Sequence, residues 1–289
     1  MVSKRYDLHC HSSQSDGILS PEALVSRAKA NQVDVLALTD HDTISGVRRA
    51  RAQAEKEDLT LINGIEFSCQ WAGCNIHIVG LAFDCDHPRL VQSIDEQEQA
   101  RRTRAAEIGQ RLAKAGFEGV YEKADAIAAG GSVGRPHFAK AMVESGYVSS
   151  IDQAFKRYLG AGKVGDVKQH WPEIGDVVEM IVDAGGVAVL AHPMKYKITR
   201  TKLRRLIEDF CDAGGRAIEI ISGAQKPHET ADMLRLAERY ELLSSCGSDF
   251  HAPGMKWAEL GQMAAMPKQA NPVWQFWESE GQSTQDSSI

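Results

Sequence analysis

Seven short runs of apolar and β-branched residues alternate along this chain with segments of helical periodicity, and this alternation restricts the fold more than any other feature. Continuous apolar stretches such as VLAL and VAVLA are typical of strands that are covered on both faces. Repeated units of this kind predict a parallel sheet with helices packed outside it. The runs are Tyr6 to His9, Asp34 to Thr39, Thr60 to Ile65, Ile76 to Ala82, Val187 to Ala191, Ala217 to Ile221 and Leu243 to Gly247.

Helix signals fill most of the gaps between these runs. Ser20 is followed by Pro21 and EALVSRAKA, so Ser20 is predicted to cap a helix that has proline at its first position. Four further helices are predicted, the last three from apolar residues at three- and four-residue spacing. They span residues 45 to 56, 173 to 184, 201 to 213 and 228 to 240.

The alternation is interrupted once, between about residues 99 and 165, where helical patterns and glycine-rich turns follow one another without a clear strand. We interpret residues 100–165 as an inserted helical subdomain, and residues 1–99 and 166–289 as the barrel. The insertion holds 11 Lys and Arg against 6 Asp and Glu, a net charge of +5, whereas the whole chain carries −6. The sequence thus predicts a basic cap on an acidic barrel. The polar end, residues 279–289, is expected to fray.

Composition limits the kind of protein this can be. With 33 basic and 39 acidic side chains, the chain is unlike a general nucleic-acid coat protein, which usually carries a basic surface. Its six cysteines form no CxxC pair, a pattern typical of reduced thiols in the cytosol. No apolar run approaches the ~20 residues that span a bilayer, and the first residues lack the apolar stretch of a secretory signal. We expect a cytoplasmic protein with no membrane partner and no obligate protein partner.

Histidine and acidic residues gather next to the predicted strands. Most of them come at the carboxyl ends, and in a βα barrel these ends share one edge, where active sites form. The first strand is followed by two histidines and an acid, the second by a DHD triplet, and the last by a DFH triplet. The residues are His9, His11, Asp16, Asp40, His41, Asp42, Glu66, His77, His192, Asp249 and His251.

This inventory predicts a metal centre. His9 and His11 are two residues apart on an extended strand end, so they point to the same face and can bind one ion. Asp249 and His251 repeat the spacing, and Glu66 could bridge two ions. Mixed imidazole and carboxylate ligands fit manganese, zinc or iron better than calcium. Each motif alone has another explanation, since aspartate also caps helices, but the joint pattern favours two or three bound metals.

The segments HCHSSQSDG, LTDHDT, GIEFS, IHIVGL, AHP and GSDFH, in this order, resemble the polymerase and histidinol phosphatase (PHP) superfamily. The resemblance implies a distorted (β/α)7, TIM-like barrel that hydrolyses phosphate esters with two or three divalent ions, manganese before zinc or iron. The inserted segment with its GRPH motif resembles the branch of nucleoside 3′,5′-bisphosphate phosphatases and RNA 5′-end exonucleases. The ligands implied by the family are His9, His11, Asp16, His41, Glu66, His77, His192, Asp249 and His251.

The expected chemistry is attack by a metal-bridging hydroxide. Two metals about 3.5–4 Å apart lower the pKa of a bridging water and clamp the attacking and leaving oxygens. The sequence has no P-loop and no GxSxG motif that would suggest a covalent intermediate. His192 and the non-ligand His137 are alternative general acids, between which the sequence does not decide.

The free oxygens of a phosphate need cationic donors, which the insertion supplies. Arg135 of the GRPH motif has a planar fork that suits phosphate, and Arg101 and Arg104 share one face of a predicted helix. The alternative is that these arginines are simply solvated. The predicted substrate contacts are Arg101, Arg102, Arg104, Ser132, Gly134, Arg135 and His137, of which Arg135 and His137 are also catalytic candidates alongside His192.

Three activities fit this site. The first is removal of the 3′-phosphate from a nucleoside 3′,5′-bisphosphate, such as adenosine 3′,5′-bisphosphate, with the insertion holding the 5′-phosphate. The second is 5′-3′ exoribonuclease action on 5′-phosphorylated RNA ends. The third, a histidinol-phosphate-type phosphatase, has no obvious need for a second basic patch. The acidic net charge favours a small nucleotide, although the basic insertion could hold a short RNA end. The complete ligand set disfavours a binding-only role.

Overall fold

A seven-stranded sheet with its strands in sequence order forms the centre of the molecule. The computed structural model describes residues 4–168 and 171–278. The strands are β1 (Tyr6–Asp7), β2 (Val35–Leu38), β3 (Thr60–Trp71), β4 (Cys74–Leu81), β5 (Val187–Leu190), β6 (Ala217–Ser222) and β7 (Leu243–Gly247). Main-chain bonds from Leu8 N to Cys246 O (3.0 Å) and from Asp249 N to His9 O (2.8 Å) join the first strand to the last. The predicted distorted (β/α)7 barrel is confirmed.

One strand runs against the others. Parallel pairing was predicted throughout, and for β4 this is wrong, because β4 is antiparallel to both β3 and β5. The reason is the short connection: only ten residues separate the two predicted runs, and a parallel crossover needs a dozen or more. The chain instead extends β3 to Trp71 and turns at Ala72 and Gly73, which have φ values of 46° and 75°.

Helices pack around the sheet and form the connection between β4 and β5. They are α1 (Pro21–Ala30), α2 (Val47–Lys56), α3 (Pro88–Lys114), α4 (Val120–Ala128), α5 (Arg135–Glu144), α6 (Ile151–Ala154), α7 (Ile174–Asp183), α8 (Arg200–Asp212) and α9 (Pro227–Arg239). Ser20 caps α1 by accepting a hydrogen bond from Ala23 N (3.2 Å), as predicted. The predicted ends of α2, α7, α8 and α9 agree within two residues. Within the described ranges, no helix is both long and apolar enough to cross a membrane.

The segment between β4 and β5 has an apolar cluster of its own. Residues from α3 to the π-helical turn Phe155–Leu159 form it, with Leu112, Phe138 and Met142 fully buried. This separate cluster is consistent with an inserted subdomain. The proposed boundary at residue 100 falls inside α3, so one continuous helix connects the two parts. The predicted frayed tail, residues 279–289, lies outside the described residues.

Residues of the strands and of the surrounding helices form the main buried apolar cluster, and buried histidine and acidic side chains gather at one mouth of the barrel. Ile65, Phe67 and Ile78 are fully buried in the apolar cluster. Gly247 at the end of β7 packs directly on the first strand, since a Cβ at this position would lie 2.1 Å from the Cβ of His9. Glycine therefore allows His9, which is itself fully buried, to sit at the centre of the mouth.

Candidate metal centre

Nine side chains with metal-ligating atoms converge at this mouth. Their ligand atoms form four overlapping groups, and within each group all atoms lie within 4.8 Å of one another. The groups are His11, Asp16, His41 and His251; His9, Glu66 and His192; His9, His11 and Asp249; and His41, Glu66 and His77. The structure thus brings together all nine residues that the family resemblance implies as ligands. We call these nine residues the ligand cluster.

The carboxylate of Glu66 lies at the centre of the ligand cluster and is 1% exposed. Five imidazole nitrogens lie 2.8–3.2 Å from its two oxygens, those of His9, His11, His41, His77 and His192. Burial raises the pKa of the Glu66 carboxyl, but the charges of His41, His9 and His77 outweigh burial and hold this pKa well below its usual range. Glu66 is therefore an anionic ligand with both oxygens available to neighbouring ions.

The antiparallel strand explains how His77 joins the cluster. His77 on β4 is paired with Ser68 on β3, and Ser68 lies two residues after Glu66. Because β4 runs in the opposite direction, its first half, and not its carboxyl end, reaches the mouth of the barrel. The position of His77 on a predicted strand was enough to select it as a candidate ligand, but the reversed direction of β4 was not predicted.

Strained backbone surrounds the cluster. Asp42, His192 and Asp249 have φ values of 52°, 29° and 55°, and each follows a strand that ends at the mouth. Such conformations cost non-glycine residues about 1–3 kcal/mol each and persist where the surroundings hold them. Asp42 accepts a hydrogen bond from Ser68 N (2.6 Å), and His192 N donates to Glu219 (2.7 Å). These bonds keep the turns in the conformation that directs the ligands inward.

The donor set fits divalent cations. Within the described ranges, ten buried side-chain nitrogen or oxygen atoms have no hydrogen-bond partner, and seven belong to the ligand cluster. They are His9 Nε2, His11 Nδ1 and Nε2, Asp16 Oδ1, His41 Nδ1, Glu66 Oε2 and His192 Nδ1. An unpaired buried polar group costs about 1–3 kcal/mol, and coordination of a metal satisfies it. Imidazole and carboxylate together suit manganese, zinc or iron.

Sequence reasoning missed Glu219 on β6, although an acid inside the apolar run AIEII was a usable signal. This side chain is 2% exposed, and its Oε1 lies 2.6 Å from His9 Nδ1. Its Oε2 accepts from the backbone of His192. A carboxylate on the second nitrogen of a ligating histidine fixes the ring and raises its basicity. Glu219 therefore orients two members of the ligand cluster.

Replacing Glu219 by glutamine is expected to lower metal affinity by about 10–100-fold, the usual effect of losing a group that orients a ligand. The amide keeps the volume but removes the charge beside His9. Titration of the metal-free protein with Mn²⁺, followed by calorimetry, measures the change. Unaltered affinity would show that Glu219 only fills the barrel.

Three further charged residues border the cluster. Asp40 accepts from Ser12 N (2.7 Å) and from the Ser12 and Ser15 hydroxyls (2.6 and 2.7 Å), so it anchors the loop before Asp16. Asp42 binds Arg101, and Lys195 binds the cluster residue Asp249. Asp40 and Asp42, which the sequence grouped with His41, thus bind protein donors. Lys195 was not predicted from the sequence to lie at this site.

Three arginines from the insertion line a cavity of about 180 Å³ beside His41 and His77, and we call it the arginine cavity. Arg101 donates to Asp42 (2.5 Å) and to Ser68 Oγ (2.9 Å). The guanidinium carbons of Arg101 and Arg104 lie 5.2 and 6.0 Å from the centre of the Trp171 ring. Ser132, Gly134 and Arg135 complete the wall.

Positive charge exceeds negative charge in the arginine cavity. In the described part of the chain, Arg104 and Arg135 have no carboxylate within 4.0 Å. Burial and the charges of Arg135 and Arg101 lower the pKa of Arg104 to about 10. Burial also lowers the pKa of Arg135, against the opposing charge of Asp166. Because arginine side chains keep their charge at neutral pH as a rule, the cavity is suited to an anion.

Three other predicted contacts, Arg102, Gly134 and His137, differ from these arginines. Arg102 is on a different face of α3, where its 71% exposed side chain pairs with Glu98. The amide of Gly134 is already occupied, because it donates to His137 Nδ1 (3.0 Å). His137 therefore carries its ring proton on Nε2. Burial lowers the pKa of His137, so its ring is neutral at pH 7.

Comparison with known proteins agrees with this geometry. The model of the PHP domain family matches residues 7–171. A 5′-3′ exoribonuclease of Haemophilus influenzae is 45% identical over 274 residues, 95% of this chain and 99% of that protein. A 3′,5′-nucleoside bisphosphate phosphatase of Chromobacterium violaceum is 39% identical over 269 residues, 93% and 94% of the two chains. The structure of an amidohydrolase from Chromobacterium violaceum, with bound sulfate and no metal, has a TM-score of 0.90 at 38% identity, covering 95% and 96%.

The fold and the site define a class: a metal-dependent phosphoesterase built on a seven-stranded barrel. The family model covers more than half of the chain, and relatives above 30% identity cover nearly all of it. The chain belongs to the PHP domain family.

Proposed function

We propose that this protein is a cytoplasmic enzyme that removes the 3′-phosphate from nucleoside 3′,5′-bisphosphates, for example converting adenosine 3′,5′-bisphosphate to AMP and phosphate. The observation that carries the proposal is the position of the arginine cavity directly beside His41 and His77 of the ligand cluster. A substrate with two phosphates can present one to the metals and the other to the arginines. The similarity to a 3′,5′-nucleoside bisphosphate phosphatase supports the same substrate.

The nine residues of the ligand cluster would hold two or three divalent ions, manganese first and zinc or iron as alternatives. When bound, these ions supply an activated water and neutralise charge on the phosphate under attack. Glu66 contributes the central carboxylate, and Glu219 keeps His9 and His192 in place.

Residues of the insertion would hold the second phosphate. Arg104 Nε donates to the Val167 carbonyl (2.9 Å) and Arg135 Nη1 to the Leu159 carbonyl (3.4 Å). Neither guanidinium pairs with a carboxylate among the described residues, so their remaining donors are available to the 5′-phosphate. Ser132 adds a hydroxyl in the same cavity. Guanidinium groups in this cavity would favour a phosphate dianion over a neutral hydroxyl, so we expect the enzyme to prefer substrates phosphorylated at the 5′ end.

Protonation of the leaving 3′-oxygen requires an acid near the metals. Two histidines border this position, and the lowered pKa of His137 makes it a neutral hydrogen-bond donor at pH 7. We propose His192 as the proton donor through Nδ1, which has no hydrogen-bond partner among the described residues, while its Nε2 lies 2.9 Å from Glu66 on the side of the ligand cluster. His137 would instead orient the leaving oxygen.

A second activity, 5′-3′ exoribonuclease action, is favoured by one further observation. A cavity of about 1100 Å³ adjoins Asp249 and His251 of the ligand cluster, far more space than a departing phosphate needs. If a phosphodiester of an RNA chain were bound at the metals, the rest of the chain would lie in this space. The relative of 45% identity is named for this activity.

Incubation of metal-loaded protein with two substrates tests both proposals. Adenosine 3′,5′-bisphosphate should yield AMP and phosphate, and a 5′-phosphorylated oligoribonucleotide should be shortened from its 5′ end. An intact oligomer beside hydrolysed bisphosphate would exclude the exonuclease. Failure to hydrolyse the bisphosphate with manganese, zinc and iron in turn would overturn the main proposal.

A further inference from the structure

We infer that the 1100 Å³ cavity, here called the large cleft, binds the RNA nucleotides that follow the scissile phosphodiester, and that Trp257 stacks on the first of their bases. The inference rests on the proposed exoribonuclease activity and assigns a binding site to the part of the substrate downstream of the metals. It also identifies Trp257 as a residue that distinguishes an RNA chain from a mononucleotide.

The two cavities border different members of the ligand cluster. The arginine cavity contacts His41 and His77, whereas the large cleft contacts Asp249 and His251. Asp16 borders both of them. A strand with its 5′-phosphate among the arginines and its next phosphodiester at the metals must therefore continue into the large cleft.

The start of α5 separates the cavities. Arg135 lines the arginine cavity, His137 lines the large cleft, and Pro136 borders both. The GRPH motif thus faces both sides of the metals at once. Arg135 is placed to bind the 5′-phosphate, and His137 lies on the side where the downstream chain continues.

The size of the large cleft exceeds what a bisphosphate requires. Sites for small molecules usually measure about 300–1000 Å³, and the large cleft reaches about 1100 Å³ compared with about 180 Å³ for the arginine cavity. Hydrolysis of a 3′-phosphate monoester releases only inorganic phosphate on this side. Space for several bases is useful when the phosphoryl group under attack carries a nucleotide chain, which keeps that phosphate after the bond to the leaving 3′-oxygen breaks.

The walls of the large cleft suit bases more than they suit phosphate. Ile18 and Trp257 from the barrel side are 59% and 65% exposed, and Ile151 from the insertion is 42% exposed. Single-stranded nucleic acids bind by stacking their bases on aromatic rings while cations meet the backbone. Lys140 and Lys195 line the same cleft beside the acid Glu144. Because Lys195 pairs with Asp249, Lys140 is the cation placed to meet the backbone of the chain.

Trp257 is exposed, yet its main chain is firmly held. Ala224 N donates to Trp257 O (2.7 Å), and a Cβ on Gly223 would lie 2.5 Å from the same oxygen. The loop after β6 therefore requires glycine to approach this closely. On the neighbouring wall, Ile18 N donates to the carbonyl of His251 in the ligand cluster (2.8 Å). The apolar platform is thereby fixed relative to the metals.

The test compares substrates of increasing length with wild-type and variant protein loaded with Mn²⁺. The substrates are adenosine 3′,5′-bisphosphate and 5′-phosphorylated oligoadenylates of two, three and four nucleotides. Trp257→Ala should leave kcat/KM for the bisphosphate unchanged and lower kcat/KM for the oligomers by about 5- to 100-fold, the effect of losing one base stack. Trp257→Phe, which keeps an aromatic face, should retain most oligomer hydrolysis. Tyr147→Ala removes an exposed aromatic ring outside both cavities and should change neither.

Each outcome decides between the proposals. A Trp257→Ala protein that loses bisphosphate and oligomer hydrolysis equally, or that keeps full oligomer hydrolysis, would overturn the role of Trp257. Wild-type protein that hydrolyses the bisphosphate but no oligomer would overturn the cleft assignment and leave the phosphatase proposal intact. Wild-type protein that hydrolyses none of the substrates would instead overturn the proposed function.

Discussion

Glu66→Gln is expected to empty the metal centre and to lower kcat/KM by about 10³-fold or more, at least the scale on which one preorganised electrostatic group acts. Glutamine keeps the shape of the side chain but replaces the anionic oxygen pair by one oxygen and an NH2 group. That group would face the five imidazoles that surround the carboxylate. Metal content by elemental analysis and hydrolysis of adenosine 3′,5′-bisphosphate measure the two effects.

Glu259→Gln is the matched control for this prediction. Glu259 is also buried, but it pairs with Arg27 outside the ligand cluster. This variant should keep its metals and its turnover. If Glu66→Gln kept full turnover with unchanged metal content, the assignment of Glu66 as the central ligand would be wrong.

Arg135→Ala is expected to lower kcat/KM for the bisphosphate by about 10–100-fold, which corresponds to losing one or two charge-assisted hydrogen bonds. Metal content should not change, because Arg135 lies in the arginine cavity and not in the ligand cluster. Hydrolysis of a nucleoside 3′-monophosphate should also stay the same, since that substrate has no 5′-phosphate to lose contact with. Parallel kinetics on the two substrates provide the measurement.

Arg102→Ala serves as the control for Arg135. It removes an equal charge from a face of α3 that points away from the arginine cavity, so any effect of net charge alone appears in both variants. Equal losses on both substrates in the Arg135→Ala protein would show that Arg135 does not bind the 5′-phosphate. Unchanged kinetics would show that its side chain is merely solvated.

Local sequence patterns were sufficient to predict where the strands lie and which residues gather in most of the site. A strand end places residues two apart on the same face, so the spacing of His9 and His11 predicts that they lie together, and their ligand atoms are within 4.8 Å of each other. The helix cap at Ser20 depends only on its own side chain and the next turn, and this prediction is also confirmed. Such features are determined by residues that are close in sequence.

Contacts between distant segments were not predictable in the same way. Glu219 reaches His9 across 210 positions, and nothing near Glu219 in the sequence indicates this partner. The direction of β4 depended on whether ten residues could form a crossover. Arg101 and Arg102 are adjacent in sequence, but only the packing of α3 on Trp171 directs the first to the site and the second to solvent.

The sequence by itself determined the alternation of strands and helices, the gathering of histidines and acids near the strands, and the insertion as the source of positive charge, because periodicity and spacing are local properties. The selection of the nine ligands came from the resemblance to the PHP superfamily. Only the tertiary structure decided that Glu66 lies at the centre of five histidines and that His77 arrives on a reversed strand. It also decided that the arginine cavity borders His41 and His77, whereas the large cleft borders Asp249 and His251. These facts depend on how remote segments pack, and the free energy of that packing is shared among residues far apart in the chain.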